Sequence, residues 1–291
     1  MNTNAQFDAI PFIDRLSTAP RGGGFHLPDE SVWCGSVIPG PDGRFYMFAS
    51  VWAKDLCFSP HWLTNSRIVC AVADQPQGPY AYAYDVLPPR GEAYWDGRMP
   101  HNPAIIKYQD HYLLIYTGTT YTGPTPTSEA PLVQGDPADM TDHDPRMIEA
   151  HRNQRIGMAT ATSLTGPWTR RDEPILEPRP GQWDGLITTN PAPCLTPEGQ
   201  LRIIYKSVAG KLGDRMYLGI AATDDPLNQP PRRLRDNPLF RADEIGDHVE
   251  DPFVWYADGQ YHMIMKVMNG QLGGEKRGGI YLRSENGLDW P

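Results

Sequence analysis

Four stretches of the chain repeat one alternation of apolar runs and polar breaks: CGSVIPGPDGRFYMFAS (34–50), HNPAIIKYQDHYLLIYTG (101–118), TNPAPCLTPEGQLRIIYKS (189–207) and EDPFVWYADGQYHMIMK (250–266). Each reads as a short apolar strand, a turn rich in Asp, Glu or Gly, and a second apolar strand, which is the signature of a β-hairpin. A further strand follows each hairpin: IVCAVADQPQGPY (68–80), IGMATATSLTGPW (156–168), LGIAATDDPLNQP (218–230) and IYLRSENGLDW (280–290). Helical periodicity is confined to one short candidate, DPRMIEAHRNQR (144–155), inside a long interruption of the second repeat at 118–153. A three-strand unit that recurs about every 60 to 90 residues, with room for an outer fourth strand, predicts an all-β fold, a β-propeller forming one domain over residues 1–291. Four units are countable. A two-layer sandwich would also satisfy alternating strands and regular turns, although it has no need of the same hairpin in every repeat.

Composition narrows the function more than the fold. The net charge of -9 disfavours nucleic acid and anionic membranes as partners. No run reaches the roughly 18 apolar residues of a membrane helix. The first residues, MNTNAQFDAIPFIDRLSTAP, have neither a basic start nor an apolar centre, so a cytoplasmic location is expected. Cys34, Cys57, Cys70 and Cys194 lie at no metal-ligand spacing and are expected to be reduced, buried thiols. The acidic run around Asp142 and Asp144 has no partner at ligand spacing, and neither a metal nor an organic cofactor is expected.

The repeat also aligns polar positions. Gly35, Asn102, Asn190 and Asp251 fall at one place near the start of the first strand, and the last three precede proline. Ser50, Thr117, Lys206 and Lys266 fall at the end of the second strand, beside that start in an antiparallel hairpin. WDGRMPHNP and WDGLITTNP share W-D-G-x4-N-P, which sets Asp96 and Asp184 six residues before Asn102 and Asn190. A propeller would gather Asp96, Asp184, Glu250, Asp251, His101, His248, Lys206, Lys266 and Trp33 on one face near its axis, with Trp95 and Trp183 beside them. Carboxylates next to aromatic rings are what sugar chemistry needs: one acid, one base or nucleophile, and flat faces for the ring. Plainer readings stay open. The W-D-G aspartates could cap backbone at blade corners, the lysines could be salt-bridge partners, and Glu250 could face a neighbouring blade. The apolar run after Asp251, PFVWY, reads as a strand covered on both faces.

E-D-P-F opening an inner strand, N-P at the equivalent strands, and NQRIGMATATSLTGPW resemble the five-bladed propeller glycoside hydrolases of families 43 and 117, from about Val32 to Trp290. The resemblance implies five blades, an essential aspartate at Asp251 and a residue beside the active site at Arg155. It also implies a general-base aspartate on the first inner strand, where this chain has WCGSV and no carboxylate. Asp96 and Asp184 are the expected substitutes. The function so implied is hydrolysis of a terminal glycosidic bond in a short oligosaccharide or glycoside, with inversion. A glycoside phosphorylase and a non-catalytic carbohydrate-binding propeller are the alternatives.

Overall fold

Each repeated hairpin pairs in register and recruits the following strand, so the chain folds as four separate antiparallel sheets. The computed structural model describes residues 14, 16–133, 143–211, 213–240, 246–271 and 274–290. The first sheet holds β1 (Glu30–Pro39), β2 (Phe45–Ala53), β3 (Arg67–Ala73) and β4 (Ala81–Leu87). The second holds β5 (Met99–Tyr108), β6 (His111–Thr119), β7 (Arg155–Ala161) and the short β8 (Thr169–Arg170). The third holds β9 (Thr189–Leu195), β10 (Leu201–Ser207), β11 (Tyr217–Thr223) and β12 (Arg232–Arg233). The fourth has three described strands, β13 (Val249–Ala257), β14 (Gln260–Val267) and β15 (Gly279–Ser284). Strand order within each sheet follows the chain, and the sheets are the blades of a β-propeller whose first strands lie innermost.

Neighbouring blades are held by apolar side chains that interdigitate between their faces. Phe48, Ile68 and Leu87 of the first sheet bury against Leu114, Tyr116 and Ala159 of the second. Leu113, Ile115 and Met158 meet Ile203, Tyr205 and Ala221 of the third, and Ile204, Leu218 and Ile220 meet Val254, Met263 and Met265 of the fourth. Each buried Leu, Ile, Met or Phe among them contributes about 1.5–3 kcal/mol. The second strand of the second sheet, HYLLIYTGT, is therefore covered on both faces, every residue after His111 being buried. In β14 the burial alternates strictly: Tyr261, Met263, Met265 and Val267 are buried, while Gln260, His262, Ile264 and Lys266 are only half-buried. The fourth sheet is thus fully covered on one face only.

The two ends of the propeller differ. At one end the hairpins close with short turns, at 40–44, 109–110, 196–200 and 258–259. At the other, longer segments connect the second and third strands. One of these carries α1 (Phe58–Asn65), and the 120–154 segment carries α2 (Pro145–Arg152) where a helix is expected from the sequence. Asp144 starts α2 by accepting the Arg146 N–H at 2.9 Å, with Pro145 at the first helical position. Loops of this length on a rigid scaffold are where sites are built.

Candidate active site

Every inner strand carries the same irregularity. Trp33 pairs with Ser50, His101 with Thr117, Thr189 with Lys206 and Glu250 with Lys266, and in each case the register then shifts past two bulged residues. The first bulged residue is left-handed in all four blades: Cys34 (φ 55°), Asn102 (47°), Asn190 (49°) and Asp251 (53°). The second is Pro103, Pro191 or Pro252, whose missing N–H suits a bulge, and in the first blade Gly35. Asn and Asp tolerate the left-handed region best, and a residue held there costs on the order of 1–3 kcal/mol. A fourfold repeat of that cost marks a place where side chains are aimed for a purpose. The equivalent of Asn102 is consequently Cys34, and not Gly35 as the spacing suggests. The hairpin from Cys34 to Ser50 is one residue longer than that from Asn102 to Thr117, which displaces the alignment.

The four bulges converge. Trp33 to Ser36, Asn102 to Ile105, Asn190 to Pro193 and Asp251 to Phe253 line one cavity of about 430 Å³ on the propeller axis. Asp251 is the carboxylate that lines it among the described residues, and it accepts a hydrogen bond from the Asn190 side-chain amide. The Asn102 amide oxygen is buried with no hydrogen-bond partner among the described residues. Trp33, 46% exposed, and Phe253, 60% exposed, give the cavity apolar walls. Burial pushes the Cys34 thiol up, and the nearby Asp251 adds to this, so the sulfur is a neutral thiol.

Beside the cavity, Glu250 is clasped by Lys206 Nζ at 2.9 Å and Lys266 Nζ at 2.8 Å. Burial raises its pKa, but the two ammonium groups outweigh that and hold it at about 2. Glu250 therefore stays charged and cannot donate a proton near neutrality. Lys266 also lies 3.7 Å from Asp251. A polar chain continues around the axis: Thr189 bonds Thr117, Gln154 and Asn190 at 2.8–3.0 Å. His101 is buried, with Nδ1 2.8 Å from Ser66 Oγ and its ring between Trp52 and Trp62. Burial, reinforced by Lys206, drops its pKa to about 3, so it serves as a neutral hydrogen-bonding group. Trp33, Phe58 and Trp52 form a connected aromatic surface, with ring centroids 5.0 and 4.8 Å apart.

Other expected site residues lie elsewhere. Asp96 and Asp184 are fully buried away from the cavity. Asp96 accepts from Arg90 Nε at 2.7 Å and Tyr116 OH at 2.7 Å, with Arg170 at 3.4 Å. Asp184 accepts from Arg179 Nε at 2.9 Å, Tyr205 OH at 2.9 Å and Arg233 Nε at 2.5 Å. Arg170 and Arg233 sit on the outer strands β8 and β12, so W-D-G is a corner that ties a blade's entry to its rim. Its tryptophans brace the same corner, Trp95 stacking on Tyr116 and Trp183 on Tyr205. A Cβ at Gly157 or Gly219 would come within 2.5 Å of those indoles, so the corner requires glycine there. Arg155 bonds Glu177 and the carbonyls of Arg152, Gln154 and Leu186, and it does not line the cavity. His248 Nδ1 accepts the Met216 N–H at 3.3 Å, securing a loop. The expectation of a strand covered on both faces after Asp251 fails at Phe253, whose ring is largely exposed. Sequence reading missed Cys34, Ser66 and Gln154, although a bulge-aware alignment would have found Cys34. All four cysteines are free, but only Cys70 and Cys194 are buried as expected, Cys34 being half-buried and Cys57, in the segment leading into α1, exposed. Among the described residues no His, Cys, Asp and Glu group could hold a metal, and no helix is long and apolar enough to cross a membrane.

No protein-family model and no curated protein matches the chain. Solved structures do. A family 117 glycoside hydrolase from the marine bacterium Zobellia galactanivorans superposes with a TM-score of 0.66 at 16% identity, over 90% of this chain and 69% of that one. A thermostable family 43 glycoside hydrolase gives 0.58 at 14% identity, over 90% and 72%. The fold resembles the five-bladed propellers of glycoside hydrolase families 43 and 117. An exo-β-1,3-galactanase from Phanerochaete chrysosporium, solved with galactose, gives 0.57 at 13% identity, over 90% of this chain and 49% of that one. Identities this low carry the fold, and any chemistry has to be argued from the residues.

Proposed function

We propose that the axial cavity takes the end of a carbohydrate chain and that the protein hydrolyses its terminal glycosidic bond, with Asp251 as the reacting carboxylate. The observation that carries this reading is the convergence of four left-handed bulge residues on one cavity, with Asp251 exposed there beside Trp33. The unpartnered Asn102 amide oxygen and the Asn190 amide suit sugar hydroxyls, and Trp33 suits a ring face. Asp251 takes a proton from a water as that water's oxygen bonds to the anomeric carbon. The glycosidic oxygen departs from the opposite face and takes its proton from a second, solvent water, a course that inverts the anomeric carbon. Glu250, locked between two lysines, keeps the cluster's charge fixed and takes no part in proton transfer.

Phosphorolysis is less well supported, since a phosphate needs uncommitted cations. Lys206 and Lys266 are engaged by Glu250 and Arg155 by Glu177. One observation favours a second reading, a sugar-binding propeller without turnover: the first blade offers Cys34 where a second carboxylate would complete an acid–base pair. A screen of aryl glycosides and oligosaccharides, with and without phosphate, separates these readings. Hydrolysis is expected to be independent of phosphate, with the inverted anomer as first product by NMR. Saturable binding with no bond cleavage across the screen would favour the binder.

A further inference from the structure

Behind Asp251 a chain of polar side chains leads from the axial cavity to the end of the 120–154 segment. Asn190 Nδ2 donates to Asp251 Oδ1, and Asn190 Oδ1 lies 2.8 Å from the Thr189 hydroxyl. The same hydroxyl lies 3.0 Å from Gln154 Oε1. Gln154 is buried and fixed end for end, because its Nε2 donates to the His151 carbonyl at 3.2 Å. Buried Thr189 therefore faces two amide oxygens with one hydroxyl proton. Thr117 does not make up the shortage. Its Oγ1 accepts the Asn190 N–H at 3.1 Å, and its own hydroxyl is 3.0 Å from Thr189 Oγ1.

We propose that Thr189 and Gln154 are positioning residues that act through Asn190 to accommodate the proton Asp251 takes from water. This rests on Asp251 as the reacting carboxylate. While Asp251 is charged it only accepts, so Asn190 Nδ2 faces it and Thr189 donates to Asn190 Oδ1. Gln154 Oε1 then goes without a donor, which is costly for a buried oxygen. Once Asp251 Oδ1 carries the proton, the Asn190 amide makes a half-turn about its Cβ–Cγ bond. Its oxygen accepts the Asp251 O–H, its Nδ2 donates to Thr189 Oγ1, and Thr189 turns its proton to Gln154 Oε1. Every member of the chain now has a partner, and no bond has changed beyond the proton transfer from water. The charged groups around Asp251 direct the proton to that oxygen. Lys266 on β14, 3.7 Å from Oδ2, disfavours a proton there. Glu250 on β13 is paired with Lys266 and with Lys206 of β10, while Cys34 on β1 and His101 on β5 are neutral.

Gln154→Met keeps the volume and removes the last acceptor, so it takes one hydrogen bond from the protonated arrangement and none from the charged one. Asp251 should then hold its proton less tightly. The acid limb of kcat/KM, and the carboxyl-carbon NMR titration assigned with Asp251→Asn, should both move down by about 0.5–1 pH unit, the worth of one neutral hydrogen bond. Thr189→Val takes one bond from the charged arrangement and two from the protonated one, so it should produce a similar shift. The double variant should move no further, since either substitution empties the same link. A folded Gln154→Met protein with an unmoved titration would overturn the proposal. So would full additivity in the double variant, since Gln154 would then act by a route other than Thr189. The NMR titration needs no turnover: the expected shifts in a protein that cleaves no glycoside would uphold the chain and count against the hydrolysis alone.

Discussion

Asp184 and Asp251 both sit at the approach to an inner strand, yet their surroundings divide structure from chemistry. Asp184 is sealed from solvent, with two guanidinium groups and a tyrosine hydroxyl taking up its oxygens. Asp251 stands in a cavity, hydrogen-bonded by one amide, with an ammonium at 3.7 Å. A carboxylate whose lone pairs are spoken for by rigid donors holds a fold together. One with free lone pairs beside an apolar wall can meet a substrate. Asp96 repeats the first arrangement with Arg90, Arg170 and Tyr116, so the contrast belongs to the motif and not to one residue.

The largest effect expected from that contrast is on stability. Asp184→Asn leaves Arg233 without its charge partner and Arg179 with only the exposed Asp236, and breaking a buried pair costs roughly 3–5 kcal/mol. Melting should fall by about 10 °C, read by calorimetry, while Asp251→Asn should move it far less. Equal losses at the two sites would erase the distinction.

Glu250 sharpens the comparison through pH. Its carboxyl titrates below the usual range, at about 2 against 4.5. A depressed folded-state value stabilises the fold above the unfolded pKa, and that contribution is lost as pH falls from about 4.5 toward 2. Glu250→Gln should therefore lower stability near neutrality by on the order of 3 kcal/mol. The same variant should flatten the acid limb of a denaturation series between those pH values. An acid limb that keeps its wild-type shape would show that the lysines do not hold Glu250. Smaller still is the aromatic wall: Trp33→Ala should weaken binding of a sugar ligand by about tenfold, with little change in melting, measured by calorimetric titration.

Much of the fold was legible because the propeller repeats its hairpin, a polar turn between two apolar runs, in every blade. The site was half legible. Asn102, Asn190 and Asp251 stood out because an X-Pro bulge leaves a fixed mark in sequence. Cys34 did not, since Gly35 replaces the proline and the longer hairpin shifts the count. Asp96 and Asp184 misled for a physical reason: spacing from N-P places them near the axis along the chain, but the partners that bury them, Arg170 and Arg233, arrive from outer strands many residues later. Whether a carboxylate is sealed or open depends on those distant arginines. The exposed Phe253 escaped for a related reason, because an apolar strand reads the same whether or not a sheet covers it.

The carboxylate at the axis does the proposed chemistry, and those at the corners do not. Turnover by Asp251→Asn on the best substrate found in the glycoside screen tests that division most directly. The expected result is a folded protein that still binds the sugar and turns over about 10²-fold or more slowly, the scale of lost general acid–base catalysis. Near wild-type turnover by that variant would contradict it and leave Asp251 a strand cap.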